Sequence, residues 1–222
     1  MFDISSLATI AAYVIMALGL YWMGKANGVK YPWLSWFPIA SDYALGLIAE
    51  KGASRGTNES KPYRKILMGL SIAAAALGVL AASVGVVFVL GFVADLAWDW
   101  QAIMNSPDAI VDWAEELLAD SAALDALVEA FMSNISTLLV LVAVGLILAV
   151  VSVVYLVYYF ICLWHVYNLY DANNAKLWTL ITVLGQLIIP VFGALVAPII
   201  VMVLSLTKKP YAEESSTPWE NL

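Results

Sequence analysis

Four apolar stretches punctuate the chain: Ile4–Gly24, Ile66–Ala94, Ile135–Trp164 and Leu177–Thr207. None shows the one-sided stripe of a helix lying on a soluble core, because apolar side chains occupy every face. As a helix, Ile4–Gly24 would rise about 31 Å, enough to cross the hydrocarbon layer of a bilayer. The second and third stretches are longer than a crossing needs, which predicts helices that tilt or project beyond the membrane. The spacing therefore predicts transmembrane helices over 1–24, 66–94 and 135–165. The fourth stretch, 177–207, differs. Pro190 and Pro198 flank Gly193 in IIPVFGALVAPII, so a straight helix is interrupted there. Two forms fit: a hairpin of two short arms, Leu177–Ile189 and Val191–Thr207, or a single span kinked at proline.

The connections carry their own patterns. Within residues 25–65, the segment Tyr31–Ala49 is apolar and aromatic but broken by Pro32 and Pro38, with Asp42 inside it. It reads as a re-entrant or interfacial segment, with Trp33 and Trp36 at headgroup depth. Glu50 to Pro62 is small and polar and reads as a loop. Residues 95–134 contain an amphipathic helix predicted over Ser106–Met132, with Ser106 as N-cap and Pro107 at the first helical position. Ile110, Trp113, Leu117, Leu124, Val128 and Phe131 recur along it at helical spacing. That stripe is expected to cap the outer end of the bundle or to dock on a partner. Residues 166–176 form a turn, and 208–222 a polar tail.

Charge then orients the whole. Residues 25–65 carry seven Lys/Arg against three carboxylates, whereas Asp95–Met132 carries nine carboxylates and no base. The positive-inside rule makes the first connection cytoplasmic and the second external, with the N-terminus outside and the location a plasma membrane. The hairpin form of 177–207 is preferred, because it keeps Lys208 and Lys209 on the cytoplasmic side with Lys176. The sequence thus predicts an all-α polytopic membrane protein with three spans, a Pro-broken fourth apolar element and an external amphipathic helix.

Composition agrees: 63% of residues are hydrophobic and 12% charged, with mean hydropathy +0.88. The net charge of −7 averages a basic and an acidic connection, and no continuous basic surface exists for nucleic acid. The single cysteine, Cys162, excludes an intramolecular disulfide, and the single histidine, His165, excludes bis-His haem ligation within one chain. No HExxH, Walker A, GxSxG or CxxC motif appears, and the four stretches hold no Asp or Glu. No catalytic residue, metal site or cofactor is expected.

The candidate functional polar residues are therefore few. Asp42 interrupts the aromatic segment. His165 and Asn168 are three apart at the end of the third helix, sharing or adjoining one face. Gln186 lies one turn before Pro190. The third helix end is expected to combine with Asp42 and Tyr43 into one cytoplasmic site. Small residues spaced as Gly78–Ala82 and Ala81–Gly85 permit close helix approach, within the chain or between copies.

The segment KANGVKYPWLSWFPIASDYALGLIA, residues 25–49, resembles one found in small multi-pass bacterial membrane proteins of uncharacterised function. There, too, a helix ends in a basic residue and Gly, and an aromatic stretch around Pro-Ile leads to a polar residue and Tyr. The turn Tyr167–Ala175, with the Pro-broken stretch and Lys-Lys after it, looks similar as well. The resemblance implies a multi-pass membrane protein and no catalytic residue. Two functions are compatible with these features. The first is a non-enzymatic subunit or scaffold of a membrane assembly, partnered by the bilayer, by other copies of itself or by other membrane subunits. The alternative is a small transporter or channel component whose Pro-broken segments line the path.

Overall fold

The structure is a computed structural model and describes residues 4–54, 61–95, 111, 121–188 and 190–210. Every regular element among them is helical. The helices are α1 (Ile4–Ala26), α2 (Pro38–Ala53), α3 (Tyr63–Asp95), α4 (Ser121–Ser133), α5 (Ile135–Tyr170), α6 (Ala175–Ile188) and α7 (Pro190–Thr207), with a 3-10 turn over Pro32–Trp36. Three are long and apolar enough to cross a membrane: Ser6–Ala26, Tyr63–Phe92 and Ile135–Tyr170. The chain divides into two compact units, Met1–Ala73 with Ser152–Leu222, and Ala74–Val151.

In the first unit α1 ends in a Schellman motif. Gly28 takes φ +64°, and the N–H groups of Gly28 and Val29 return to the carbonyls of Lys25 and Gly24. Only glycine adopts that conformation cheaply, so the chain turns here and climbs back along α1. The 3-10 turn follows, with Ser35 fully buried and its hydroxyl on the Pro32 carbonyl at 3.0 Å. The Tyr13 hydroxyl donates to the Trp36 carbonyl. Tyr13 lies thirteen residues before the end of α1, so the chain has risen about 20 Å along the helix before reversing. Trp36 is thus beside the middle of α1, not at the level of its end. Phe37 is extended, Pro38 occupies the first position of α2, and α2 descends again.

The remaining elements close around this excursion. Residues 50–53, expected in a loop, continue α2. Two contacts hold them there: Glu50 accepts from the Arg64 N–H at 3.1 Å and pairs with its guanidinium at 3.4 Å, and Gly52 packs on the His165 carbonyl. At Gly46 and Gly52 a Cβ would overlap the Arg64 backbone and the His165 carbonyl, respectively. α5 runs to Tyr170, five residues past its expected end, and the turn shrinks to 171–174. α6 and α7 pack on each other, with Gly185 against Val196. Thr207, Lys208 and Lys209 return beside Tyr170, Asp171 and Asn173, which is the hairpin form of 177–207. α1 and α7 make the most extensive pairing, closest at Gly19 against Val201 and Met202. Leu20, Met23, Leu45, Ile48, Leu67, Leu163, Val166 and Val201 form the core.

One end of this unit is tied across. Asn27 donates to the Tyr170 hydroxyl at 2.7 Å, and the Lys51 ammonium donates to the Asn27 carbonyl. Asp171 accepts from Trp178 Nε1 at 3.2 Å and Asn174 Nδ2 at 3.1 Å. Slight burial would raise its carboxyl, but these bonds and the nearby Lys208 outweigh it and hold the group below the usual carboxylate range.

In the second unit α3 and α5 contribute their other halves, joined to α4. The stripe residues Leu124, Val128 and Phe131 of α4 are exposed among the described residues. The expected start of that helix at Ser106 lies outside the described residues, as does the tail from 211. The Gly46 contact yields a contrast. Gly46→Ala should lower stability by roughly 1–3 kcal/mol, whereas Gly78→Ala, with open space at its Cβ, should change it by less than about 0.5 kcal/mol. Thermal denaturation of the two purified variants in one detergent checks the difference.

Candidate functional site

The reversal at Phe37–Pro38 delivers the first turns of α2 into the interior of the first unit. Asp42 sits on the second turn, facing α3 and α5. Ser71 Oγ donates to its Oδ2, and the Tyr155 hydroxyl donates to its Oδ1 at 3.0 Å. Both partners are neutral, and no cation stands within ion-pair distance of Asp42 among the described residues. Burial raises its carboxyl above the ordinary carboxylate range, and the bonds from Ser71 and Tyr155 offset part of that rise.

A cavity of about 390 Å³ opens beside the carboxylate. α1 contributes Thr9, Ala12, Tyr13, Met16 and Leu20 to its wall, and α2 contributes Pro38, Ser41, Asp42 and Leu45. Tyr155, Leu156 and Tyr159 come from α5, Gln186 from α6 and Pro198 from α7. The wall is mostly apolar with a few convergent polar groups, the usual character of a small-molecule site. Among the described residues, Asp42 is the one charged residue lining it.

The four residues singled out by sequence separate. Asp42 and Gln186 line this one cavity although 144 positions part them in the chain. His165 is ten residues beyond Tyr155, about 15 Å along α5. There its Nε2 meets the Tyr63 hydroxyl at 3.2 Å, with the rings 5.2 Å apart. Asn168, one turn further, is not among the residues lining the cavity. The single site expected from Asp42, Tyr43 and the end of the third helix is therefore not formed as a whole. Asp42 instead pairs more than three turns earlier on α5. The reason is depth: α2 meets α5 while descending, so its first turns contact the part of α5 that precedes the helix end.

No protein-family model, curated protein or solved structure matches this chain.

Tyr155 and Tyr13 were not anticipated from the sequence, whereas Tyr159 belongs to the third-helix end expected to meet Asp42 and does line the cavity with it. The signal was present in YLVYYF, since a phenol inside an apolar run needs a hydrogen-bond partner. Ser71 was visible as a polar residue in the second stretch, yet nothing in the local pattern links it to Asp42, 29 positions away. Tyr155→Phe should cost about 1–2 kcal/mol of stability, because a buried acceptor loses its donor. It should also raise the Asp42 carboxyl further, as one of the two bonds lowering it is gone. An infrared titration of the protonated-carboxyl band, in wild type and variant, checks the direction.

Proposed function

We propose that this chain is a plasma-membrane protein with its N-terminus outside, and that its first unit is the solute-binding part of a small transporter or channel component. The observation supporting this most directly is the Asp42 carboxylate, held by two neutral hydroxyls at the edge of a mostly apolar cavity. An ionisable group in such surroundings is costly, and function is the usual reason for keeping it. The cavity wall also includes Pro38 and Pro198, so both Pro-broken segments contribute to it. Discontinuous helices of this kind supply binding sites in many transporters, because their freed backbone can line a cavity. No covalent step is part of the proposal.

The orientation rests on charge. Lys25, Lys30, Lys51, Lys61, Arg64, Lys65, Lys176, Lys208 and Lys209 follow or precede the helix ends gathered at the cross-tied end of the first unit. Placing that end in the cytoplasm satisfies the positive-inside rule at every connection.

A second reading, a non-enzymatic subunit or scaffold, draws on a different observation. The span windows of α3 and α5 are 0% and 6% buried, against 33% for α1, so those two helices present nearly bare apolar surface. Lipid covers such a surface in a bilayer, and so would other copies or other membrane subunits.

Two measurements test these statements. On a Cys162→Ser background, Glu129→Cys should react with an impermeant maleimide added to intact cells, and Lys209→Cys should not until the cells are opened. In proteoliposomes, at least one member of a panel of small cationic, neutral and anionic solutes should cross faster than in protein-free vesicles. Leu156→Trp, which narrows the cavity, should slow it. No flux for any solute, together with a stoichiometric partner from native membranes, would establish the subunit reading instead.

A further inference from the structure

The chemistry of the cavity narrows what it can hold, given the solute-binding reading above. Its one charged lining residue is an acid, so an anionic solute would meet repulsion with no base to offset it. A divalent metal ion needs six or more oxygen ligands and usually several carboxylates. Among the described residues, no group of three or more His, Cys, Asp or Glu side chains is placed to hold a metal. The remaining wall is mostly aromatic and aliphatic, with Thr9, Ser41 and Gln186 as neutral polar groups. Tyr155 and Tyr159 stack with centroids 6.0 Å apart, and Tyr13 approaches from α1. Aromatic faces attract cations, most strongly where water is scarce. Each Asp42 oxygen accepts one hydroxyl, which leaves further lone pairs for an incoming donor.

We propose that this cavity binds a small organic monocation, whose ammonium group pairs with Asp42 and whose apolar body packs against Tyr13, Tyr155 and Tyr159. The volume suits such a molecule, being near the lower end of the usual range for small-ligand pockets. The ammonium supplies the counter-charge that Ser71 and Tyr155 do not. Binding requires the ionised carboxylate, so it weakens as pH falls through the raised Asp42 titration. The groups facing Asp42 are Ser71 from α3, Tyr155, Tyr159 and Cys162 from α5, Tyr13 from α1 and Gln186 from α6. None of these is a base that would gain positive charge on acidification.

The test uses the full chain in lipid nanodiscs, with choline and benzyltrimethylammonium as probes whose charge does not titrate. Calorimetry should show saturable binding of both, about tenfold or more tighter than the neutral choline isostere 3,3-dimethylbutan-1-ol. Asp42→Asn should weaken choline by about tenfold or more, and wild-type affinity should fall as pH is lowered through the raised Asp42 titration. If Asp42→Asn does not fold, the pH series on wild type and the neutral isostere decide alone. Equal binding of isostere and choline, or a pH-independent affinity, would overturn the cation assignment while leaving a solute site in place. Displacement of choline by sodium or potassium at comparable concentration would make it an inorganic cation site, and also overturns the proposal. Failure of both cations to bind overturns it too; the flux panel then decides separately whether the cavity carries any solute.

Discussion

A chain that turns back inside a protein, instead of crossing it, must satisfy its own backbone along the way. That constraint shapes the first unit. Between Ala26 and Pro38 the chain has no long helix to absorb its N–H and C=O groups, and it uses a sequence of local devices. Gly28 closes the end of α1, the 3-10 turn bonds within itself, the Ser35 hydroxyl takes the Pro32 carbonyl, and Tyr13 covers the Trp36 carbonyl. Pro38 then opens α2 at a position where a missing N–H costs nothing. Because this reversal is fixed, the second turn of α2 falls between α3 and α5, and Asp42 reaches Ser71 and Tyr155.

The return limb depends on close approach. Gly46 lets α2 lie against the backbone at the start of α3, and Gly52 lets it lie against the end of α5. Gly19 and Gly185 do the same for α1 with α7 and for α6 with α7. Where lipid competes equally for apolar side chains, association relies on tight packing and polar ties. The cross-tied end supplies the latter through Asn27, Lys51, Tyr170 and Asp171. The half-helices around the cavity are thus braced at one end.

Much of the architecture was legible along the chain, and the reasons are physical. Long apolar runs can hardly be other than helices, so α1, α3 and α5 were found to within a few residues, apart from the five extra residues of α5. Pro190 and Pro198 marked the break, and charge alone selected the hairpin that Lys208 and Asp171 now display. Pro32 and Pro38 marked the second reversal, yet its height did not show, because only the Tyr13–Trp36 contact reveals it. The extension of α2 through Ala53 was hidden by a polar composition that Arg64 and His165 override from elsewhere. In the candidate site, Asp42 and Gln186 stood out as lone polar groups. Their convergence, and the tyrosines between them, depended on tertiary contacts that no local spacing encodes.

The pairing of α1 with α7 joins helices far apart in the chain. During synthesis Gly19 and its neighbours would have to wait for Val201 and Met202 while some 180 intervening residues are added, roughly ten to thirty-five seconds at ordinary elongation rates. For that interval the face of α1 around Gly19 lacks its α7 mate, and on the proposed membrane reading lipid or the insertion machinery would have to shelter it. Any ribosome that stops before α7 releases a product lacking that mate, a ready mark for membrane quality control.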